Sequence, residues 1–352
     1  MSGQPRIRLA RSRGARPCAG FTLIELMIAM ILGLVVIAGV TSVFLAGQQS
    51  FRTNNALADV QDGSRIAFEL MARDIRSAGL SSCDSSNGRI ANVLNGGNTN
   101  WYADWGNPVH GYFDGSTDDP AISGITGVGA PVAPFPSLHI ISAGSIDATV
   151  STTPSDTAAN LKINKPTGNI QPGDIIIICT LTGPQPHTSI AQITNYNSQN
   201  ITVVHNTGKF SPGNCSKGLD YPTNCGANGS TNLEPNSPIA KLSAADWYIG
   251  TNAAGGPSLY RLTVKNSADI TGSTSGTGIP QEMVRNVRDM QITYLQQPNT
   301  TFVTADAVTD WSVVTAVRVT LTLDSTFQRA TVNAKPVERV YAATTTIRNR
   351  VD

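Results

Sequence analysis

From Phe21 to Ala46 the chain runs through 26 residues with a single ionisable side chain, Glu25. No other stretch limits its folding as much. An α-helix needs roughly 20 predominantly apolar residues to cross a hydrocarbon layer about 30 Å thick, so this run is long enough to span a bilayer. A carboxylate four residues into such a segment costs about 2.5–3.5 kcal/mol near the bilayer centre, which marks Glu25 as a functional residue that needs a positive partner. Its place in a first helical turn also favours an acid through the helix dipole, and the two roles are compatible. Residues 1–20 contain Arg6, Arg8, Arg11, Arg13 and Arg16 and no acid. Such a flank stays cytoplasmic and leaves the segment after Ala46 outside. Basic leader and apolar run together look like a signal sequence, but the processing signal precedes the apolar run instead of following it. The alternative is an uncleaved single-span anchor.

No proline occurs between Phe21 and Gly79. Helical throughout, those residues would extend ~88 Å at ~1.5 Å per residue. The second half is amphipathic: Leu57, Val60, Ser64, Ala67, Phe68, Met71 and Ile75 recur at three- and four-residue steps, with Asp59, Asp62, Arg65, Glu69, Arg73 and Arg76 largely elsewhere. That stripe predicts a helix packed on its own domain, with coiled-coil pairing as the alternative. Gly79 is a natural C-cap, and Arg73 and Arg76 suit the C-terminal dipole and pairing with Glu69 or Asp74.

The stretch Gly20-Phe21-Thr22-Leu23-Ile24-Glu25-Leu26 resembles the class III signal of type IV prepilins and type II secretion pseudopilins. The resemblance implies cleavage between Gly20 and Phe21 by a prepilin peptidase, N-methylation of Phe21, and Glu25 as the assembly glutamate. Cleavage would create an α-amine, and a carboxylate four residues on can pair with that of a neighbouring subunit, lowering the cost of burying both. Leu70-Met71-Ala72-Arg73-Asp74-Ile75-Arg76-Ser77-Ala78-Gly79 is similar to the helix end of PilW-type minor pilins and, less closely, of J-type pseudopilins. Met283–Leu295, Val313–Leu323 and Thr346–Arg350 resemble the end of the PilW type less specifically.

Beyond the helix, 32 glycines and 20 prolines with many Ser, Thr and Asn indicate short elements joined by turns, hence a β-rich exported domain. Residues 81–136 read as a long irregular insertion pinned by Trp101, Tyr102, Trp105, Tyr112 and Phe113. Within it, Asp114-Gly115-Ser116-Thr117-Asp118-Asp119 lacks the spacing and closing Glu of a calcium loop and reads as a solvated acidic turn. Strands are predicted at Leu138–Ser142, Leu161–Asn164, Asp174–Leu181, Ile190–Tyr196 and Ile201–His205, then at Ile239–Leu242, Asp246–Thr251 and Leu259–Val264. The run Asp174–Cys179 is apolar without alternation, so it should be buried on both faces. Val313–Leu323 alternates as a half-exposed antiparallel strand does.

Cys18 falls in the leader, leaving Cys83, Cys179, Cys215 and Cys225. An even count in an oxidising compartment suggests two disulfides with three possible connectivities. The short loop favours Cys215–Cys225, within a stapled loop at 211–237, and elimination gives Cys83–Cys179. Without a Cys-x2-Cys pair, a zinc site is not expected. His110, His139, His187 and His205 are scattered and belong to no hydrolase, zincin or P-loop pattern, so no catalytic residue, metal site or cofactor is expected. Removing the leader takes Lys+Arg from 25 to 20 against 24 acids, a body of −4 that gives no reason to bind nucleic acid directly.

The expected protein is α+β: a cleaved leader at 1–20, a transmembrane half-helix at 21–46, an amphipathic half at 47–79, and a periplasmic, mainly antiparallel β-rich head with long loops at 80–352. The resemblance implies a non-enzymatic minor pilin of the inner membrane that joins other minor pilins, primes type IV pilus assembly and ends near the pilus tip. Its partners would be the other minor pilins, the major pilin, the prepilin peptidase, the inner-membrane assembly machinery and the lipid bilayer. A J-type pseudopilin of a secretion pseudopilus and a tip adhesin are the alternatives.

Overall fold

The structure, a computed structural model, describes residues 20–80, 89–154, 158–180, 186–208, 210–225, 230–231, 233–264, 278–331 and 333–350. The chain divides into two compact units, one ending at Asn54 and the other beginning at Asn55. Helix α1, Leu23–Ser77, contributes its first part to one and its second part to the other.

In the first unit every residue from Gly20 to Gln48 is exposed, including Leu26, Ile31, Val36 and Phe44. A helix apolar on all sides is stable only in an apolar surrounding. Its length and apolar composition suffice to cross a membrane.

In the second unit α1 buries Ala56, Val60, Ser64, Ala67, Met71 and Ile75. This is the expected stripe with Ala56 added, and with Leu57 and Phe68 only half-buried. The stripe meets Leu138, Trp247 and Val284 of one sheet and Met290, Ile292 and Tyr294 of another in a single core. Each large apolar side chain so enclosed contributes about 1.5–3 kcal/mol. Gly63 allows the close approach, since a Cβ there would lie 3.2 Å from Val284. Gly79 ends the helix at φ +68° and donates its N–H to the Ile141 carbonyl at 2.8 Å.

The larger sheet has eight strands: β1 (Ile90–Asn92), β2 (Val109–Tyr112), β3 (Ser137–Thr149), β5 (Ile175–Thr180), β6 (His187–Gln192), β9 (Pro238–Thr251), β10 (Pro257–Thr263) and β11 (Ile279–Arg285). A three-stranded sheet holds β4 (Asn160–Lys162), β7 (Asn195–Asn197) and β8 (Thr202–Val204). The third has β12 (Val287–Gln296), β13 (Phe302–Val303), β14 (Val314–Asp324) and β15 (Glu338–Thr346). All pairings are antiparallel except β1 with β6.

Strand β5 is buried on both faces. Ile176 and Ile178 pack with Leu161 and Val203, whereas Ile175 and Ile177 pack with Tyr102 and Trp105. Two expected strands are one: β9 runs unbroken from Pro238 to Thr251, because Ser243, Ala244 and Ala245 pair with Ser142, Ile141 and Ile140 of β3. Conversely, Met283–Leu295 is split at Asn286, whose φ of +55° turns the chain from β11 into β12. The stretch 81–136 is not wholly irregular, since its described part supplies β1 and β2 and a short helix α2, Gly115–Asp118, to the larger fold. Trp101, Tyr102 and Trp105 do pack inward, but Phe113 is exposed.

Asp74 finds its partner on the sheet instead of on its own helix. It accepts from Arg261 Nε at 2.7 Å and Nη2 at 3.3 Å and from Trp247 Nε1 at 2.9 Å. Three donors on one carboxylate join α1 to β9 and β10. Replacing it with alanine should therefore lower the stability of the full-length protein in detergent by about 2–3 kcal/mol, a loss that chemical denaturation would measure. Asp74→Asn, which keeps an acceptor, should lose less.

Candidate functional site

The chain enters α1 through Gly20 and Phe21, both exposed. Thr22 is the N-cap: its carbonyl accepts the first helical bond from Leu26 N–H at 3.1 Å, and its Oγ1 accepts from Glu25 N–H at 3.3 Å. Glu25 answers from three positions on. Its Oε2 accepts from Thr22 N–H at 3.5 Å and from the Thr22 hydroxyl at 3.4 Å. Thr22-Leu23-Ile24-Glu25 is thus a capping box, in which two backbone donors left over at a helix start are satisfied reciprocally. The spacing Thr-x-x-Glu carries this signal in the sequence itself; reading the acid only against the helix dipole misses it.

The box bonds lie at the long end of hydrogen-bond geometry and are exposed. Among the described residues no cation pairs with Glu25. The carboxylate is held at the mouth of the helix by weak contacts, and a strong donor could outcompete them. Residues 1–19, with the five arginines and Cys18, lie outside the described residues.

Far along the chain, Cys215 and Cys225 form a disulfide with Cα atoms 4.9 Å apart. Cys179, at the buried end of β5, is also disulfide-bonded. Cys83 lies outside the described residues.

The histidines have separate settings. His110 is flanked by Tyr112 and Trp311, with ring centroids 4.7 and 4.5 Å away, and burial lowers its pKa. His187 Nε2 is 2.9 Å from the Leu219 carbonyl. His205 is fully buried with neither ring nitrogen hydrogen-bonded.

His139 is different. Its Nε2 is 2.7 Å from Asp119 Oδ1 and 2.5 Å from Asp246 Oδ2. His139 and Asp246 are register partners across β3 and β9, so their side chains leave the same face of the sheet. Asp119, expected in a solvated turn, is instead fully buried just after α2. Earlier in the same run, Asp114 caps α2 by accepting from Ser116 N–H, and Asp118 is exposed, so only the last acid turns inward. Asp119 also accepts from Ser137 Oγ at 2.5 Å and Ala121 N–H at 2.8 Å.

Burial disfavours the imidazolium, but the charge of Asp246 and contact with both carboxylates overcome it and raise His139 to about 10. Burial pushes Asp246 up to about 8, with the His139 charge opposing and the Asp119 charge adding. Burial would also raise Asp119, yet the hydrogen bond and charge of His139 keep it below its ordinary value. No local motif announces this cluster: its members are 20 and 107 residues apart along the chain. Only the β3–β9 register and the excursion before β3 bring them together.

Residues 246–350 match the family described as Type IV Pilus-assembly protein W, and residues 15–41 match the prokaryotic N-terminal methylation motif. No curated protein matches the chain. The first match opens inside β9 at Asp246 and takes in β10 to β15; the second covers residues 15–20, the capping box and the first turns of α1. A class III signal followed by an apolar helix suits an inner-membrane-anchored prepilin. Over residues 246–350 the chain is similar to the PilW family of type IV pilus-assembly proteins, and near its start it carries the prokaryotic N-terminal methylation motif.

Proposed function

We propose that this protein is a minor pilin which, after cleavage between Gly20 and Phe21 and methylation of Phe21, assembles with other minor pilins in the inner membrane and primes pilus polymerisation. The observation that supports this most is the placement of Glu25. It is the one ionisable residue of a helix segment that is apolar on every side, and it stands at the helix mouth in contacts weak enough to exchange.

Cleavage exposes a new amine at Phe21, and the Phe21 amine of a neighbouring subunit can replace the box donors with a charge-assisted bond. Such a pair in lipid neutralises two groups that are each costly alone and fixes the axial register between helices. The major pilin, the prepilin peptidase and the inner-membrane assembly machinery follow as partners, and the head remains periplasmic until the complex is incorporated near the pilus tip.

Deleting the gene in its host and counting surface pili by electron microscopy tests the reading. Few or no pili are expected, with restoration by the wild-type chain. Normal pilus number in the deletion strain would overturn it.

A further inference from the structure

The Asp119–His139–Asp246 cluster lies apart from the processing and capping residues, and its geometry converges three metal-ligating side chains on one buried point. In the ligating state, with a neutral imidazole and two ionised carboxylates, the groups sum to −2, and all three residues are essentially excluded from water. Their ligating atoms lie within 4.8 Å of one another. The ring nitrogen is aligned for a hydrogen bond with Asp119 Oδ1 at 2.7 Å. Asp246 Oδ2 crowds the same nitrogen at 2.5 Å as an ion-pair contact, but neither Asp246 oxygen meets a donor in hydrogen-bond alignment. A buried carboxylate oxygen with no aligned donor is costly, and a cation held by both Asp246 oxygens would engage the two together.

The geometry points to a divalent transition-metal site with Asp119, His139 and Asp246 as ligands. Four donor atoms are available if Asp246 uses both oxygens: Asp119 Oδ1, His139 Nε2, and Asp246 Oδ1 and Oδ2. One imidazole with carboxylate oxygens is a borderline-hard set that suits Zn²⁺ or Mn²⁺, not the all-oxygen shell of Ca²⁺. A divalent ion brings the buried cluster to neutrality. With bonds of about 2.0–2.2 Å it would part the donor atoms to roughly 3.2 Å, a movement of less than about 1 Å.

The outer support is present. Asp119 is oriented by Ser137 Oγ and Ala121 N–H, and the rings of Trp101 and Tyr112, each 5.0 Å from the His139 ring, close the cluster with aromatic surface. Asp119 belongs to the excursion before β3, whereas His139 and Asp246 are on central strands. The ion would therefore staple that excursion to the sheet.

The test uses the full-length protein in detergent, stripped with chelator and then given Zn²⁺, Mn²⁺ or Co²⁺ alone. Elemental analysis after desalting should find one ion per chain, with a raised melting temperature, and X-ray absorption should show a single imidazole in an oxygen shell. Asp246→Asn and His139→Gln should each abolish the bound ion while near-ultraviolet circular dichroism stays native. Absence of a retained ion in the wild type, a ligand shell without imidazole, or undiminished binding by the folded variants would overturn the site. If the variants do not fold, the wild-type stoichiometry and ligand shell decide the question.

Discussion

Glu25→Gln is expected to leave the protein in the membrane with its helix start intact and to reduce its recovery in a minor-pilin complex by about tenfold to a hundredfold. The expectation separates the capping that Glu25 performs from the subunit pairing proposed for it. Glutamine at this position can still accept from Thr22 N–H, so the capping box of Thr22 and residue 25 survives. What disappears is the charge. A charge-assisted bond to a neighbouring amine contributes about 1.5–3 kcal/mol, which converts to one or two decades of association at about 1.4 kcal/mol per decade. Bilayer insertion should not suffer, since the ionised group is the expensive one.

Glu25→Ala removes both charge and box and adds about 1 kcal/mol of lost capping. Co-purification of tagged partners from detergent extracts compares the three proteins directly. Equal recovery of wild type and Glu25→Gln would sink the pairing argument, whereas a defect confined to Glu25→Ala would assign Glu25 to helix capping alone.

Much of this architecture is legible where local pattern and tertiary demand agree. The two-faced burial of β5 follows from the uninterrupted Ile175–Ile178 run, and the stripe of α1 follows from its spacing. The capping box is present as Thr-x-x-Glu. Legibility stops where the outcome depends on register. Ser243-Ala244-Ala245 is not itself strongly β-forming, and only pairing with β3 carries β9 through it. Asp119 looks like its exposed neighbour Asp118 in sequence, and its inward turn is decided by His139, 20 residues later. Asp74 likewise looks set to pair along its helix until Arg261, 187 residues away, is placed beside it. The PilW-type resemblance is carried by the helix end at Leu70–Gly79 and, less specifically, by segments from Met283 onward, whereas the family match begins at Asp246.

The second large effect expected is an acid-induced loss of head stability that traces to His205. This side chain is fully buried beside β8, neither ring nitrogen has a partner, and burial pushes its pKa down to about 4. No charged neighbour contributes to that shift. The unfolded chain binds the proton near pH 6.5 and the folded chain only near 4, so the folded state is favoured by the neutral ring. Above pH 6.5 the stabilisation is whole. As pH falls from 6.5 towards 4 the unfolded state gains protons that the native state refuses, and about 3 kcal/mol is lost before the effect levels off below 4. Denaturant unfolding of the detergent-solubilised protein at pH 7, 6, 5 and 4 would trace it. Other groups titrate over the same range, so the informative quantity is the difference between wild type and His205→Leu. That difference should shift by about 3 kcal/mol in favour of the variant between pH 7 and 4, because leucine has no proton to take up. Parallel pH profiles for the two proteins would show that the ring reaches water, or a hydrogen-bond acceptor, without unfolding.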